Sequence, residues 1–457
     1  MPQLPMKNQY IFQVAFFGLC VSSCWAQESA LTDGFVLIAP MGSPSVYLVN
    51  SKREIVHTWD VGEGPGNATY LEEDGSLLRT GKVTDNDLFQ ARGGGGGVIR
   101  RFSWDGELTW EYRISDDRLH HHHDIEPMPN GNVLAIAWER HTRDEAIEAG
   151  RDPETITGDA IWTETILELK PVGKDDAEVV WKWRLWDHLI QAFDETKENF
   201  GDVAAHPELV DFNYGVRRGG ADWIHMNSVA YNAELDQIAL SARWFNEGWI
   251  IDHSTTTEEA AGEAGDLIYR WGNPEAYQAG SPSDRRFFLQ HDVDWIESGP
   301  GAGDLLLFNN GDRDAQRNFS SADQFTPPLQ KDGSYKIGPE VAFGPPEFKW
   351  SYSAPEDGFL SNRISGAQQL PNGNTLICSG EQGRVFEVTP EGERIWELRV
   401  ASLLGERQEP ANLQPKGKDK GGKGKGKGGK GGGGDRGAVF RAPWYPADFS
   451  SAFESLK

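Results

Sequence analysis

Short segments in which large apolar residues alternate with polar residues recur six times along the chain. Most of them carry tryptophan in a W-x-W/Y-like pattern. Alternation with a period of two predicts a β-strand with one buried face, because successive side chains point to opposite faces of a sheet. The six segments are Val56–Trp59, Leu108–Tyr112, Val180–Trp183, Ile268–Trp271, Phe348–Tyr352 and Arg394–Leu398. Each of them predicts one strand with an aromatic buried face.

A second unit, a tight turn followed by an apolar strand, precedes several of these aromatic segments. Its clearest copies are Glu73–Leu78, Pro129–Leu134 and Pro371–Leu376, where Asp-Gly or Asn-Gly forms the turn. Units of this kind fit four-stranded propeller blades with insertions of variable length. The sequence therefore predicts an all-β fold, a six-bladed β-propeller. The first blade lacks its own inner strand, and we expect Ala438–Ala442 to supply it, so that the N- and C-terminal segments pair and close the ring.

Length and composition fit one large domain, which we place at residues 27–457. The chain has 457 residues, of which 38% are hydrophobic and 17 are tryptophan, enough for a substantial core. The formal net charge of −26 argues against nucleic acid as a partner, because phosphate binding needs a positive surface. No stretch beyond the N-terminus has the roughly 18 consecutive apolar residues of a membrane-spanning helix.

The N-terminus, residues 1–26, has the pattern of a signal peptide. Lys7 precedes an apolar segment, Tyr10–Val21, and a cleavage site follows at Ala26. A lipoprotein signal that would leave Cys24 lipidated is the alternative interpretation. Either signal predicts an exported protein, periplasmic or secreted, without a transmembrane segment.

Three further segments differ from the repeat. Residues 416–434 consist almost entirely of Lys and Gly, which predicts a disordered basic loop inside the last part of the domain. Arg143–Asp159 is acidic and polar, and predicts a loop with some helix. Gly93–Gly97 precedes a strand-like segment and not a helix, so it predicts a loop and not a nucleotide-binding motif. Cys378 lies in an apolar strand pattern, which favours a buried, inert thiol over a nucleophile.

Three of the eleven histidines occupy related positions in the repeat. His123 and His225 each lie seven residues before the asparagine of the next turn, and His291 opens the following repeat in the same way. Segments entering the inner strands of a propeller converge on the central channel, so we expect the three imidazoles to meet at the axis. Two alternatives remain open. The run His120–His123 also suits a solvated loop, and three histidines can also bind zinc.

The acidic residues beside two of these histidines, Asp124 and Asp292, are expected to point away from them. Neighbouring side chains of a strand lie on opposite faces, which weakens the case for a mixed histidine–carboxylate metal site. The spacing patterns of metalloproteases are also missing from the sequence. We therefore predict neither a metal nor another cofactor.

Three motifs of this chain resemble the bacterial arylsulfate sulfotransferases, a family of periplasmic six-bladed propellers. Asp222–Val229 is similar to the family motif D-W-x-H-x-N-S-[VI]. Ser241–Arg243 is similar to its S-x-R motif. Gln290–Asp292, together with Leu307–Gly311, resembles its Q-H motif and the later F-[DN]-N-G. The resemblance implies a PAPS-independent aryl sulfotransferase that moves a sulfuryl group from a phenolic sulfate ester to a phenolic acceptor.

The same resemblance implies a role for five residues of this chain. His291 matches the histidine that accepts the sulfuryl group as a transient sulfohistidine, which gives ping-pong kinetics. His123 matches a histidine that faces the sulfuryl group. His225, Asn227 and Arg243 match residues that hold the sulfuryl oxygens and the phenolic oxygen. The implied partners are an aryl sulfate donor and a phenolic acceptor, and no nucleotide or metal is needed.

The sequence departs from the family in several features, among them the Lys/Gly-rich segment and Asp292 directly after His291, and it leaves other functions open. Well-known enterobacterial members carry a disulfide near the active site, for which this chain has no cysteine pair. Four aromatic residues near the motifs can wall a substrate pocket or belong to the core: Trp223, Trp244, Phe245 and Trp295. The alternative functions are hydrolysis of sulfate esters, non-enzymatic binding of sulfated or polyanionic ligands, and metal-dependent catalysis on a propeller. The oligomeric state is not predicted.

Overall fold

The structure is a computed structural model that describes residues 31–90, 93–215, 220–337, 342–405 and 437–456. The predicted signal peptide at residues 1–26 and the Lys/Gly-rich loop at 416–434 lie outside the described residues, so both stay predictions. No helix in the described part of the chain is long and apolar enough to span a membrane.

Six four-stranded antiparallel sheets, the blades of a β-propeller, make up most of the described chain. Blades 2 to 6 are each built from four consecutive strands. In blade order, these strands are Thr69–Leu71, Leu77–Lys82, Gly97–Phe102 and Leu108–Arg113; Leu119–Pro127, Val133–Thr142, Ala160–Val172 and Asp176–Arg184; Met226–Asn232, Gln237–Ala242, Glu247–Asp252 and Tyr269–Trp271; His291–Trp295, Leu305–Asn309, Ser321–Phe325 and Trp350–Ser353; Gly366–Gln369, Thr375–Ser379, Arg384–Val388 and Arg394–Arg399. The first strand of each of these five blades is its inner strand, and the inner strand of blade 4 contacts those of blades 3 and 5.

Blade 1 combines strands from both ends of the chain. Three of its strands are Gly34–Ile38, Ser45–Asn50 and Ile55–Asp60, and the fourth is the C-terminal strand Trp444–Pro446. The first and last strands pair antiparallel, with Val36 opposite Trp444. The expectation that Ala438–Ala442 forms this strand was wrong. That segment makes only an isolated bridge between Val439 and Pro40, and Pro443 separates it from the paired strand.

The six aromatic segments fall on the six outer strands, as the alternation predicts. Their tryptophans are buried in five of the six segments, for example Trp59, Trp183 and Trp396, and in the segment of blade 5 Tyr352 is the buried aromatic residue. The polar residues between them face the other side, because a strand alternates its side chains. Burial of one large aromatic face per blade stabilises each outer strand by several kcal/mol of apolar transfer free energy, at about 25 cal/mol per Å².

Insertions between strands form the few helices. The α-helices are Arg143–Glu148, Thr257–Ala260 and Val400–Leu403. The 3₁₀ helices are Pro153–Thr155, Leu185–His188, Val203–Ala205, Glu263–Gly265, Pro274–Tyr277, Pro282–Asp284, Gly299–Gly301, Pro355–Asp357, Gly380–Gln382 and Ser451–Leu456. Between blades 3 and 4, the short parallel strands Leu189–Ile190 and Val210–Asp211 pair. The prediction of a loop with some helix at Arg143–Asp159 is confirmed. There Thr142 caps the helix by accepting a hydrogen bond from the Glu145 amide.

Candidate active site

The inner strands of blades 3, 4 and 5 are interrupted by β-bulges at the end that carries the histidines. The register shifts fall between His121 and Ile125, between Met226 and Val229, and between His291 and Asp294. In each blade one non-glycine residue at or next to the bulge has a positive φ: His123 at 50°, His225 at 56° and Asp292 at 59°. A bulge bends its strand and changes the direction of a side chain. Left-handed backbone at a non-glycine residue costs about 1–3 kcal/mol and is common at functional sites.

His291 is held in a single tautomer by its neighbours. The Asn310 side-chain amide donates to the carbonyls of Ser361 and Ile364, so its Oδ1 must be the atom that faces His291. The His291 Nδ1–H donates to this oxygen at 2.7 Å. The lone pair is therefore on Nε2, which accepts the Ile364 N–H at 3.1 Å.

Burial keeps the His291 imidazole neutral. Only 2% of the residue is exposed, and burial, reinforced by the positive charge of Arg243, holds its pKa well below the usual value of 6.5. The hydrogen bond to Asn310 opposes this shift, whereas the nearby His225 adds to it. A neutral ring with its lone pair on Nε2 is the form of histidine that acts as a nucleophile.

His123 and His225 lie side by side, although they come from different blades. Their ring centroids are 4.5 Å apart and their planes are nearly perpendicular. Burial holds the pKa of His123 well below 6.5, and the charges of His225, His122, His291 and Arg243 act in the same direction. Asn227, two residues after His225, also donates to the carbonyl of Gln290, the residue before His291, so the three predicted histidines lie in one region.

The far sides of these two histidines are held by carboxylates. The Nδ1 atom of His225 lies 2.5 Å from Oδ2 of Asp222. His123 reaches a carboxylate through a second histidine. Its Nδ1 lies 2.7 Å from Nδ1 of His122, whose Nε2 lies 2.8 Å from Oε2 of Glu164. The run His120–His123 is therefore part of a buried strand, and the alternative of a solvated loop was wrong.

Asn227 and Arg243 complete the group of predicted residues. The Asn227 amide donates to the Gln290 carbonyl at 2.8 Å, which fixes its orientation. Its Oδ1 is fully buried and has no hydrogen-bond partner among the described residues. Arg243 directly follows a strand of blade 4, and its guanidinium stacks over Trp244 at 4.2 Å and donates to the Asn362 carbonyl at 3.4 Å. Trp244 also contacts His225, with ring centroids 5.2 Å apart.

A buried arginine from the C-terminal segment lies behind the histidines. Arg441 pairs with Asp124 at 2.7 Å and with Asp292 at 2.6 Å, the two residues expected to point away from His123 and His291. It also donates to the Tyr70 hydroxyl and to the Asn227 carbonyl. One guanidinium thereby joins blades 2, 3, 4 and 5.

A cavity of about 730 Å³ lies beside the site but does not contain the histidines. It reaches Asp292 and Arg441, but none of the five predicted site residues lines it. Its wall is acidic, and repulsion from Asp294 and Asp124 adds to the effect of burial in raising the pKa of Glu126 well above 4.5. Because none of the predicted site residues lines this cavity, we place the candidate site at the histidines.

Most of the chain matches one known protein family. A family model described as Arylsulfotransferase (ASST) matches residues 71–391 of the chain. The chain belongs to the arylsulfotransferase family. Membership supports aryl sulfotransferase activity, with aryl sulfate and phenol as substrates. No curated protein is significantly similar to the chain in sequence.

Three solved structures that are similar to this chain have low sequence identity to it. A protein of unknown function from Bacteroides caccae is 13% identical, with 82% of this chain and 96% of that chain covered and a TM-score of 0.43. The β-propeller domain of Myceliophteria thermophila Cps50 (Swd1) is 9% identical, with 81% and 88% covered and a TM-score of 0.41. The periplasmic gluconolactonase PpgL of Pseudomonas aeruginosa is 11% identical, with 80% and 96% covered and a TM-score of 0.40.

Several residues around the candidate site were not predicted. Asp222 and Asn310 stand inside the quoted motifs, and Arg441 stands inside the predicted closing segment, so their positions carried a signal. His122 and Glu164 carried little signal in the sequence. Glu164 lies in the third strand of blade 3, and only the fold brings it beside His122 in the inner strand. These five residues supply the hydrogen bonds that orient the predicted ones.

The remaining candidates have structural roles. Trp223, Phe245 and Trp295 are buried in the hydrophobic core, and only Trp244 contacts predicted site residues. Cys378 is 3% exposed, and burial raises the pKa of its thiol, as the predicted inert role requires. Among the described residues, no group of three or more histidine, cysteine, aspartate or glutamate side chains is arranged to hold a metal ion.

The glycine-rich loop covers the buried histidines of blade 3. Gly94 has a φ of +81°, and a Cβ atom at this position would lie 2.0–2.5 Å from the atoms of the His123 ring. At Gly96 a Cβ atom would lie 2.5 Å from Nδ1 of His121. The glycines that the sequence assigned to a plain loop therefore allow the loop to lie directly against the imidazoles.

We expect Gly94→Ala to lower sulfuryl transfer by about 10²-fold, because a displacement of about 1 Å at a reacting group can cost that much. The substitution also forces alanine into a left-handed conformation, which we expect to lower the free energy of unfolding by about 1–2 kcal/mol. Gly95→Ala is the matched control, because a Cβ there meets nothing within 4 Å and its φ is not positive. Equal activities of the two variants in a steady-state assay would contradict this role for Gly94.

Proposed function

We propose that this protein transfers a sulfuryl group from an aryl sulfate to a phenol by way of a sulfated His291. In the first half-reaction, the Nε2–S bond forms as the bond between sulfur and the aryl oxygen breaks, and the phenoxide leaves with a proton taken from an acid group of the site. The His291 Nδ1–H stays in place, donated to Asn310. In the second half-reaction, the acceptor phenol gives its proton back to that group as its oxygen attacks sulfur and the Nε2–S bond breaks, which restores the neutral imidazole.

The tautomer of His291 is the observation that carries this proposal. Asn310 fixes the proton on Nδ1, and burial keeps the ring neutral, so Nε2 is ready to act as a nucleophile. Attack on sulfur requires that the donor displace the Ile364 N–H, which lies 3.1 Å from Nε2. The sulfuryl group then occupies the position beside Nε2 that the Ile364 N–H has left.

Arg243 and Asn227 are suited to different parts of the substrates. The sulfuryl oxygens can only accept hydrogen bonds, and the planar guanidinium of Arg243 offers a fixed set of donors. Asn227 donates one amide N–H to Gln290, and its buried Oδ1 has no hydrogen-bond partner among the described residues, which suits a phenol O–H. We assign Arg243 to the sulfuryl group and Asn227 to the phenolic hydroxyl.

An acceptor-dependence assay tests the function. With 4-nitrophenyl sulfate as donor, we expect release of nitrophenol to accelerate as phenol is added, and we expect phenyl sulfate to accumulate in equal amount. Parallel lines in double-reciprocal plots would follow from the two-step mechanism. Nitrophenol release that is independent of phenol and yields free sulfate would show a hydrolase and contradict transfer. No turnover at all, together with retained binding of sulfated ligands, would favour a binding protein.

A further inference from the structure

We infer that Glu164, His122 and His123 form a proton relay, through which a buried carboxyl group supplies the proton to the leaving phenoxide and recovers it from the acceptor phenol. This inference rests on the proposed transfer reaction. It gives roles to Glu164 and His122, which do not reach the substrate and act through His123.

The relay is a continuous chain of short hydrogen bonds. Oε2 of Glu164 is 2.8 Å from Nε2 of His122, and Nδ1 of His122 is 2.7 Å from Nδ1 of His123. All three residues are buried, with no exposed surface on Glu164 or His122 and 4% on His123. The His122 ring also stacks on Trp138, with centroids 4.1 Å apart and planes within 4°. Both ring nitrogens of His122 are thereby held in line between its two partners.

Only one proton lies in each of these two contacts, so the three side chains change state together. When Glu164 is protonated, its O–H donates to His122 Nε2, and the His122 Nδ1–H donates to His123 Nδ1. His123 then carries its proton on Nε2, an atom with no hydrogen-bond partner among the described residues. When Glu164 is ionised, every proton is shifted by one place, and His123 Nε2 carries a lone pair instead.

The protonated state is favoured before the reaction. Burial raises the pKa of Glu164 well above 4.5, and the negative charge of Asp222 raises it further. Burial and the neighbouring histidines lower the pKa of His122 in the same way that they lower that of His123. In the resting enzyme all three groups of the relay are therefore neutral, and His123 offers a hydrogen-bond donor to the substrate.

The relay balances both half-reactions. As the phenoxide leaves sulfur, it takes the proton from His123 Nε2. His123 Nδ1 takes one from His122, and His122 Nε2 takes one from Glu164, which becomes ionised. When the acceptor phenol attacks sulfo-His291, its proton goes to His123 Nε2, and the chain shifts back until Glu164 is protonated. No histidine of the relay becomes charged, which suits a buried site where an imidazolium would be costly.

Glu164→Gln tests the relay with minimal change in structure. The side-chain oxygen of the introduced glutamine can accept the Met226 N–H that Glu164 Oε1 accepts now at 2.9 Å, and its amide can donate to His122 Nε2. The hydrogen bonds are retained, but an amide releases no proton. The matched control is Glu139→Gln, the same change at another buried glutamate of blade 3, which pairs with Arg184 and Thr165 outside the relay.

The readout is the dependence of the rate on the leaving group. We expect Glu164→Gln to lower kcat/KM for phenyl sulfate, a poor leaving group, by about 10²-fold or more, the usual size of general acid catalysis. For 4-nitrophenyl sulfate, whose phenoxide is stable without a proton, we expect a change below about threefold. Glu139→Gln should leave the ratio of the two rates unchanged. His122→Phe keeps the stacking on Trp138 and should reproduce the effect, without adding to that of Glu164→Gln.

The possible results distinguish failure of the relay from failure of the proposed function. If the unsubstituted protein transfers sulfuryl groups but Glu164→Gln slows both donors equally, or neither, the relay is wrong and the transferase stands. Dependence on the leaving group that appears only in Asp222→Asn would assign the proton to the His225–Asp222 pair and overturn the relay. If the unsubstituted protein transfers no sulfuryl group from any donor, the proposed function itself fails.

Discussion

Replacing His291 by alanine is expected to lower kcat for transfer from 4-nitrophenyl sulfate to phenol by at least about 10⁴-fold, as removal of a nucleophile does in other covalent enzymes. Without Nε2, no sulfuryl intermediate forms. The remaining donors can still bind an aryl sulfate, so we expect a much smaller change in its dissociation constant. Steady-state rates and equilibrium binding of a slowly reacting aryl sulfate measure the two effects separately.

The control for this variant is His206→Ala, which removes an exposed imidazole whose hydrogen bond within the described residues is to Glu208. It should leave kcat within about twofold, since surface substitutions away from special features rarely have larger effects. Because His291→Ala also removes a partner of Asn310 and Ile364, its unfolding temperature must be compared with that of the unsubstituted protein. A folded His291→Ala protein with ordinary turnover would refute the nucleophile.

Arg441→Met is expected to lower the free energy of unfolding by about 3–5 kcal/mol, the cost of leaving a buried ion pair without one partner. Burial already raises the pKa of Asp124 and raises that of Asp292 to about 6, and Arg441 opposes both shifts. Without the guanidinium, the two carboxylates must take up protons or stay charged in a buried channel. The contacts that join four blades are lost at the same time.

Urea denaturation measures this effect. The control is Arg113→Met, whose ion pair with Asp85 is largely exposed and should contribute less than about 1 kcal/mol. Adding Asp124→Asn to Arg441→Met should recover part of the loss, because it removes one of the unpaired carboxylates. An unfolding free energy of Arg441→Met equal to that of Arg113→Met would show that the buried pairs do not hold the blades together.

The sequence predicts most of the fold because the same two local patterns recur from blade to blade. Each outer strand buries an aromatic face, and each tight turn needs glycine, so both leave a readable pattern. The closing strand was misplaced because Trp444–Pro446 is short and contains proline, whereas the preceding apolar segment has the stronger strand pattern. The pairing partner of such a strand lies about 400 residues away in the chain, where no local pattern can identify it.

The candidate site was predicted in part for the same reason. His123 and His225 occupy the same position in their two repeats, and the fold brings their rings together. The β-bulges that aim them have no clear signature in the sequence, because any residue can occupy a bulge at the cost of some strain. Glu164 contacts His122 across a blade, and its polar side chain inside a long buried strand becomes meaningful only when the structure shows its partner.

The most direct test of the account is to find the sulfuryl group on the protein. The protein is mixed with an excess of 4-nitrophenyl sulfate without acceptor, quenched at alkaline pH, digested and mapped by mass spectrometry. We predict the added mass of one SO₃ group on the peptide that contains His291, its loss when phenol is added before the quench, and its absence in His291→Ala. An adduct on another peptide, or rapid transfer without any adduct, would contradict a mechanism through sulfo-His291.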